Sequence, residues 1–563
     1  MLTRWVPGLA VARHYRRAWF SRDVVAGLVL TALLIPQGMA YAELAGLPPV
    51  TGLYTTVLAL FTYAWFGPSR VLVLGPDSVL GPLIAAAILP LIGAGGDPAT
   101  AVALAGMLAV LMGLICIAAG LARIGRIVEL LSKPVRIGFL NGVAVVVIVG
   151  QLPKLFGFSI DAKGLFDELR AFVEGVADGR TVVPSLAIGL ASLGVILAFR
   201  TWIPRVPGIL VAVVGAIAAV TLLDLTSHGV AVVGVVPSGF PTPALPRVGL
   251  DQIVPLAVAA AGMAFVTLAD TSATSRSFAA KRGDEVDPNQ EIAALGAANV
   301  AAGFFQGFPV SASASRSAVA ESTGARTQLT GLVGAGAIVI VLVAANGIVR
   351  NLPSSSLAAI VIAAAISLFD LATLRWLGRV RPSELVLSLT ALLGVAVLGV
   401  LPGIVVAIVL SLANFIRRAW RPYSAVLGRD PDQQGYHDIE RHPDATEIPG
   451  LVIYRFDSPI FFANADFFHE TLQQEIEGRP DQIRWVIVAA EPVTDIDTTG
   501  AEALDRLVDE LDAEGTALVF AELKGPVKDR LRRYALYDHF GDQRFFPTIE
   551  TAVAAYLSGT EIT

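Results

Sequence analysis

The sequence predicts a polytopic α-helical membrane protein of 14 spans in two seven-span halves, followed by a small α/β domain. Three observations predict it. Of 563 residues, 55% are hydrophobic and only 16% charged, with a mean hydropathy of +0.68, whereas an ordinary soluble domain carries about 25% charge. The charges are also segregated: 27 acidic and 11 basic residues lie from Asp430 onward, against 20 acidic and 30 basic before it. Ionised groups are costly in hydrocarbon, so this split implies two parts in two solvents. Finally, near Gly450 long apolar runs give way to alternating strand-like and helix-like segments, the rhythm of an α/β domain.

The elements follow in order. Residues 1–22 carry Arg4, Arg13, Arg16, Arg17 and Arg22 ahead of the first apolar run, and Pro36 and Gln37 interrupt that run where a signal peptide would have its cleavage site. The segment therefore reads as a cytoplasmic amphipathic lead-in. Over 23–421, apolar runs of roughly 15 to 25 residues begin near Asp23, Val50, Pro76, Ala99, Ile137, Thr181, Pro207, Val254, Asn289, Val310, Thr327, Ser355, Glu384 and Leu401. With the N-terminus inside, the loops after even-numbered spans hold 14 Lys or Arg and the loops after odd-numbered spans hold 6. That asymmetry obeys the positive-inside rule, and Arg417, Arg418 and Arg421 place the C-terminal domain inside too.

Two spans depart from the pattern. The third opens with Gly75-Pro76-Asp77-Ser78 and is short; the tenth, PVSASASRSAVAES, is polar and rich in small residues. Each reads as half a helix preceded by extended chain. Broken spans at corresponding places in two halves point to a transporter with an inverted repeat and a midplane site.

Residues 422–449, rich in Asp, Pro, Gln and His, read as a linker, and 450–563 as the α/β domain. Its strands are LVIYRF, RWVIVAA and TALVFAEL; its helices are FHETLQQEIEG, TGAEALDRLVDELDAEG and VKDRLRRYAL. Cys116 has no possible intrachain partner, and the six histidines show no zinc-ligand spacing. The tail lacks a GxxxxGK[ST] loop. No metal, cofactor, nucleic-acid partner or catalysis is expected.

Four blocks carry a resemblance: PQGMAYAELAGLPPVTGLY from Pro36, GPSRVLVLGPDS from Gly67, the stretch Phe278 to Gly331, and DTTG from Asp497. Together they resemble the SulP family of anion transporters, relatives of sulfate permeases, pendrin and prestin, with a C-terminal STAS domain. The resemblance spans nearly the whole chain. It implies a 7+7 inverted repeat divided into core and gate domains, and a homodimer. Family match makes Ser78 and Val79 of the third span, Ser313, Ala314 and Ser315 of the tenth, and Gln37 of the first the anion contacts. Unpaired N–H groups and about half a positive charge at each half-helix start would attract the anion. The serines equally suit close helix packing, and Gln37 a helix kink.

Arg316 lies in an apolar segment, where an unpaired guanidinium costs at least about 2.5 kcal/mol. In relatives the matching arginine adds positive potential near the anion; an ion pair to Glu321 or Asp270 is the alternative. Asp270 aligns with a glutamate of most relatives and is the candidate for loading a proton with the anion. Thr274, one turn later, offers a second oxygen that would suit sodium. Asp77 would cap the third half-helix yet compete with an anion for its N–H groups. Thr498 is a candidate phosphorylation site, or simply part of a turn and helix cap. The expected activity is proton-coupled symport of a small anion, sulfate by default, through an elevator-like movement in the inner membrane, both termini cytoplasmic. The alternatives are sodium-coupled bicarbonate transport, proton-coupled dicarboxylate transport, an uncoupled anion channel, or an anion sensor with the STAS domain as output.

Overall fold

The computed structural model describes residues 6–92, 96–123, 132–162, 164–203, 206–235, 237, 239–344, 346–479, 482–560 and 562. Arg4 of the lead-in, and Arg126, Lys163 and Arg205 among the loop cations counted above, lie outside them. The chain divides into two compact units, Met1–Ser411 and Leu412–Thr563.

Each of the fourteen expected spans falls on a helix. In order they are Phe20–Leu44, Pro49–Phe66, Leu80–Ile92, Pro98–Leu121, Lys133–Leu155, Val183–Trp202, Gly208–Leu222, Leu250–Arg282, Pro288–Phe304, Ala314–Ser322, Leu329–Ala344, Ser354–Leu368, Pro382–Leu398 and Val400–Trp420, here spans 1 to 14. Among the described residues, seven helical stretches are long and apolar enough to cross a bilayer, one of them running from span 12 on to Val380. The others are shorter or more polar; span 2 is enclosed by its neighbours along most of its length. Two further helices, Leu165–Ala177 and Leu371–Val380, were not expected. Both are short and amphipathic with charged faces, so hydropathy scanning passes over them.

The packing carries the internal symmetry. Span 4 packs on span 9 and span 11 on span 2; span 1 packs on 11 and span 8 on 4; span 5 packs on 13 and span 12 on 6. Spans 2 and 9 pack on each other, as do 5 and 12. Adding or subtracting seven maps this set onto itself. Because seven is odd, symmetry-related spans run in opposite directions, which makes the repeat an inverted one. Spans 1–4 and 8–11 form the core group, and spans 5–7, 12 and 13 the gate group, which span 14 joins where Gly403 lies against Val395 of span 13; the groups meet where span 1 touches spans 7 and 12.

Close approach inside the core depends on glycine at two facing positions. A Cβ on Gly52 of span 2 would lie 1.9 Å from the carbonyl oxygen of Gly38 of span 1. The N-terminus of span 1 is tied across the chain as well. Buried Asp23 accepts from the Arg326 N–H at 2.6 Å, the Thr327 N–H at 3.1 Å and the Thr327 hydroxyl at 2.7 Å, fixing the turn before span 11.

In the second unit six strands lie in the order Tyr436–Asp438 (β4), Ser424–Arg429 (β3), Leu451–Phe456 (β5), Trp485–Ala489 (β6), Ala517–Ala521 (β7) and Phe545–Phe546 (β8), the last four parallel. Alternation along the strands sends Tyr454, Val488 and Phe520 to one face, against Phe468, Leu504 and Leu507, and Ile453, Ile487 and Val519 to the other, against Val553 and Tyr556. Residues 422–449 are more than the expected linker. They contain β3 (Ser424–Arg429) and β4 (Tyr436–Asp438), an antiparallel hairpin extending the sheet edge. The Asp430–Gly435 turn dominates the composition there and masks these short strands.

Candidate functional site

The site begins with two extended segments. After span 2, β1 (Leu74–Gly75) pairs antiparallel with β2 (Ser311–Ala312), in register Leu74 with Ala312 and Gly75 with Ser311. Neighbouring side chains hold both strands in place. Asn299 of span 9 accepts from the Val310 N–H at 2.9 Å and donates to its carbonyl at 3.2 Å. The Ser317 hydroxyl accepts from the Val73 N–H at 3.0 Å, and the Gln328 amide donates to the carbonyls of Ser69 and Leu72, each at 2.9 Å. Buried backbone that lacks a ladder partner is satisfied in this way. Spans 3 and 10 start directly after these strands, so neither runs unbroken across the bundle.

Both half-helix starts reach one cavity of about 360 Å³, lined by Ser78 and Val79 from one and Ser313, Ala314 and Ser315 from the other. Their first N–H groups have no partner within the helix. Some are already used: Asp77 Oδ1 accepts from the Val79 N–H at 2.9 Å, and Ser313 Oγ from the Arg316 N–H at 3.4 Å. Asp77 thus caps span 3 while its residue also lines the cavity.

Arg316 is 1% exposed. Its acceptors among the described residues are not Glu321 or Asp270 but the carbonyls of Gly75, at 3.3 Å, and Pro76. The alternative of an ion pair to either carboxylate is not what the fold builds, because the β1 exit turns two carbonyls toward the guanidinium, whose fork can bond both. Arg316 does not line the cavity and stands behind it. Gln37 is also outside the lining; it is buried in span 1, and its Oε1 has no hydrogen-bond partner among the described residues.

Asp270 of span 8 lines the cavity. It also lines an adjoining space of about 620 Å³, where Thr274 joins it and which reaches Lys133 at the start of span 5 and Lys281 near the end of span 8. Two further lining residues, Arg136 of span 5 and Arg200 of span 6, escaped the sequence reading. They were visible only as loop-flanking cations; their position against Ser78 and Ser313 leaves no local sequence signal. In the second unit, Thr498 is exposed at the first position of the helix Thr498–Ala513, and Asp497 caps that helix through Oδ1, 2.7 Å from the Gly500 N–H.

A fourteen-span inverted repeat with two broken spans meeting at a cavity defines a membrane transporter. A model of the sulfate permease family matches residues 20–391 and one of the STAS domain matches residues 442–552. The chain is 41% identical over 552 residues to a probable sulfate transporter of Mycobacterium tuberculosis (strain ATCC 25618 / H37Rv), covering 98% of each chain. It is 31% identical to the chloroplastic Sulfate transporter 4.1 of Arabidopsis thaliana, covering 98% of this chain and 82% of the relative. Among solved structures, murine Solute Carrier 26 family member A9, an anion transporter in the inward-facing state, aligns with a TM-score of 0.91 at 23% identity over 98% of this chain and 94% of that one. The transmembrane domain of the cyanobacterial bicarbonate transporter BicA aligns with a TM-score of 0.61 at 24% identity, covering 70% of this chain and 98% of that one. The chain belongs to the sulfate permease family: it is an anion transporter with a C-terminal STAS domain, and not an enzyme.

Proposed function

We propose that the protein is a secondary active transporter that moves sulfate with protons. The observation that carries this reading is the convergence on one cavity of both half-helix starts and the Asp270 carboxylate. Ser78, Val79, Ser313, Ala314 and Ser315 would hold the anion through N–H groups and hydroxyls, a capture weak enough to reverse. Arg316 would contribute its charge from behind, and Gln37 would orient the core from span 1. A proton on Asp270 would offset the charge of the incoming anion. Sodium is the weaker alternative, because one carboxylate and the Thr274 hydroxyl make a thin site for that ion. Sulfate is favoured by the names of the relatives covering nearly the whole chain. Bicarbonate, named for a structural neighbour, and dicarboxylates are its competitors.

The core group would carry the site past the gate group, an elevator-like movement that the division of contacts supports. The protein would work as a homodimer in the inner membrane, both termini cytoplasmic, with 1–22 leading into a transport domain over 23–421, 422–449 as its approach to the STAS domain, and 450–563 as the regulatory part. Thr498 is the candidate for regulation by phosphorylation, since it is exposed at a helix N-terminus. The test is uptake of radiolabelled sulfate, bicarbonate and fumarate into proteoliposomes under separately imposed pH and sodium gradients. Asp270→Asn should abolish proton-driven accumulation and leave anion binding intact. Unchanged accumulation in that variant would refute proton coupling through Asp270, and binding without uptake by the parent would point to a sensor.

A further inference from the structure

Two arginines remain without a task. Arg136, in the first turn of span 5, and Arg200, in the last turn of span 6, line the same cavity as Ser78 and Ser313. Both belong to the gate group, so they face the half-helix starts from the opposite wall. Arg136 is half-buried and Arg200 exposed, and neither has a hydrogen bond or ion pair with a protein group among the described residues. Arg136 stands within electrostatic reach of Asp270, yet a guanidinium with no hydrogen-bond partner beside a cavity can turn to a ligand, and its planar fork matches the oxygen edge of an oxyanion.

The charge around the cavity shows what they would add. Its charged lining residues are Asp77, Arg136, Arg200 and Asp270. Each half-helix start contributes about half a positive charge, so the two together supply roughly one. Arg316, behind the cavity, balances Asp77 in front of it. Without Arg136 and Arg200, the remaining positive charge of roughly one would be cancelled by an ionised Asp270 and would stand alone once Asp270 is protonated. Even then it would match an anion bearing one charge and leave half of a double charge uncompensated. The two arginines raise the potential by two full charges, and a doubly charged guest gains twice as much from that potential as a singly charged one.

We infer that Arg136 and Arg200 are gate-side specificity residues that make the cavity prefer doubly charged over singly charged oxyanions. The inference rests on the reading of the cavity as the anion site. It is tested on the purified full-length protein by titrating sulfate and, separately, bicarbonate at constant ionic strength and reading the apparent affinity of each. Arg136→Gln and Arg200→Gln should each weaken sulfate binding at least about tenfold and bicarbonate binding less than about threefold. Arg136→Lys and Arg200→Lys keep the charge, and should hold the sulfate-to-bicarbonate ratio within about threefold of the parent. Bicarbonate binding serves as the internal measure of an intact fold, and the lysine variants keep the test alive if the glutamine variants do not fold. Parallel weakening of both anions, or a ratio unchanged in the glutamine variants, overturns the valence assignment and leaves the transport reading standing. A parent that binds neither anion overturns the reading of the cavity itself.

Discussion

Arg316 of span 10 donates to the carbonyl oxygen of Gly75, 3.3 Å away and 241 positions earlier in the chain. The contact joins the two broken spans from behind the cavity and consumes an arginine that, by charge alone, belongs beside an anion. Replacing Arg316 with Gln leaves the Gly75 and Pro76 carbonyls short of a donor inside the core, each at a cost of about 1–3 kcal/mol. Arg316→Gln should therefore lower the melting temperature of the detergent-purified protein as well as abolish anion uptake. Arg316→Lys should restore little of either, since an ammonium does not reproduce the fork. A variant of normal stability that has lost uptake alone would show a direct role in binding instead.

Span 1 and span 2 touch through Gly38 and Gly52. Because an added Cβ at Gly52 would sit 1.9 Å from the Gly38 oxygen, Gly52→Ala should force the helices apart and cost about 1–3 kcal/mol. Fluorescence-detected size exclusion after heating reads the loss directly. Gly164→Ala makes a useful contrast, since nothing lies within 4 Å of a Cβ there and only its left-handed φ of +96° opposes the change.

At the end of span 5 opposite Lys133, Lys154 Nζ lies 3.5 Å from Glu43 Oε2 of span 1, bridging gate and core. The pair is partly exposed, so it contributes up to about 1 kcal/mol. Lys154→Gln should make that end of the bundle open more often, raising the labelling rate of a Ser313→Cys variant by an impermeant thiol reagent applied from the Lys154 side about threefold. Cys116 is buried and gives little background. An unchanged rate would show that the pair does not close that end.

In the STAS unit, burial works against the charge on Asp438, but donation from the Tyr423 hydroxyl and the Glu440 and Arg441 N–H groups prevails and holds its carboxyl below the usual range. A depressed carboxyl stabilises the fold above its unfolded value of about 3.9 and loses that contribution as pH falls through the folded value. Tyr423→Phe should therefore cost about 1–2 kcal/mol at neutral pH. The difference in melting temperature from the parent should shrink as the pH is lowered below about 4. A difference constant with pH would assign the effect to packing.

Hydropathy and local composition were enough to place the spans, because a segment's solvent is written in its own residues: the apolar run beginning near Asp23 and the broken runs at Gly75 and Val310 are legible one at a time. The strand and helix periods of LVIYRF and TGAEALDRLVDEL are local in the same way. The hairpin of β3 and β4 was not, since a few strand residues either side of an Asp-rich turn carry too weak a pattern.

The candidate site divides along the same line. Ser78 and Ser313 are legible from their half-helix settings and from family likeness alone. That Arg316 bonds main-chain carbonyls rather than Asp270, that Gln37 stands outside the cavity, and that Arg136 and Arg200 stand inside it were decided by the tertiary structure alone. Those facts depend on segments that are far apart in the chain meeting in the folded bundle. A side chain's own neighbours in sequence record whether it lies in lipid or water, but not which distant backbone the folded bundle brings within its reach.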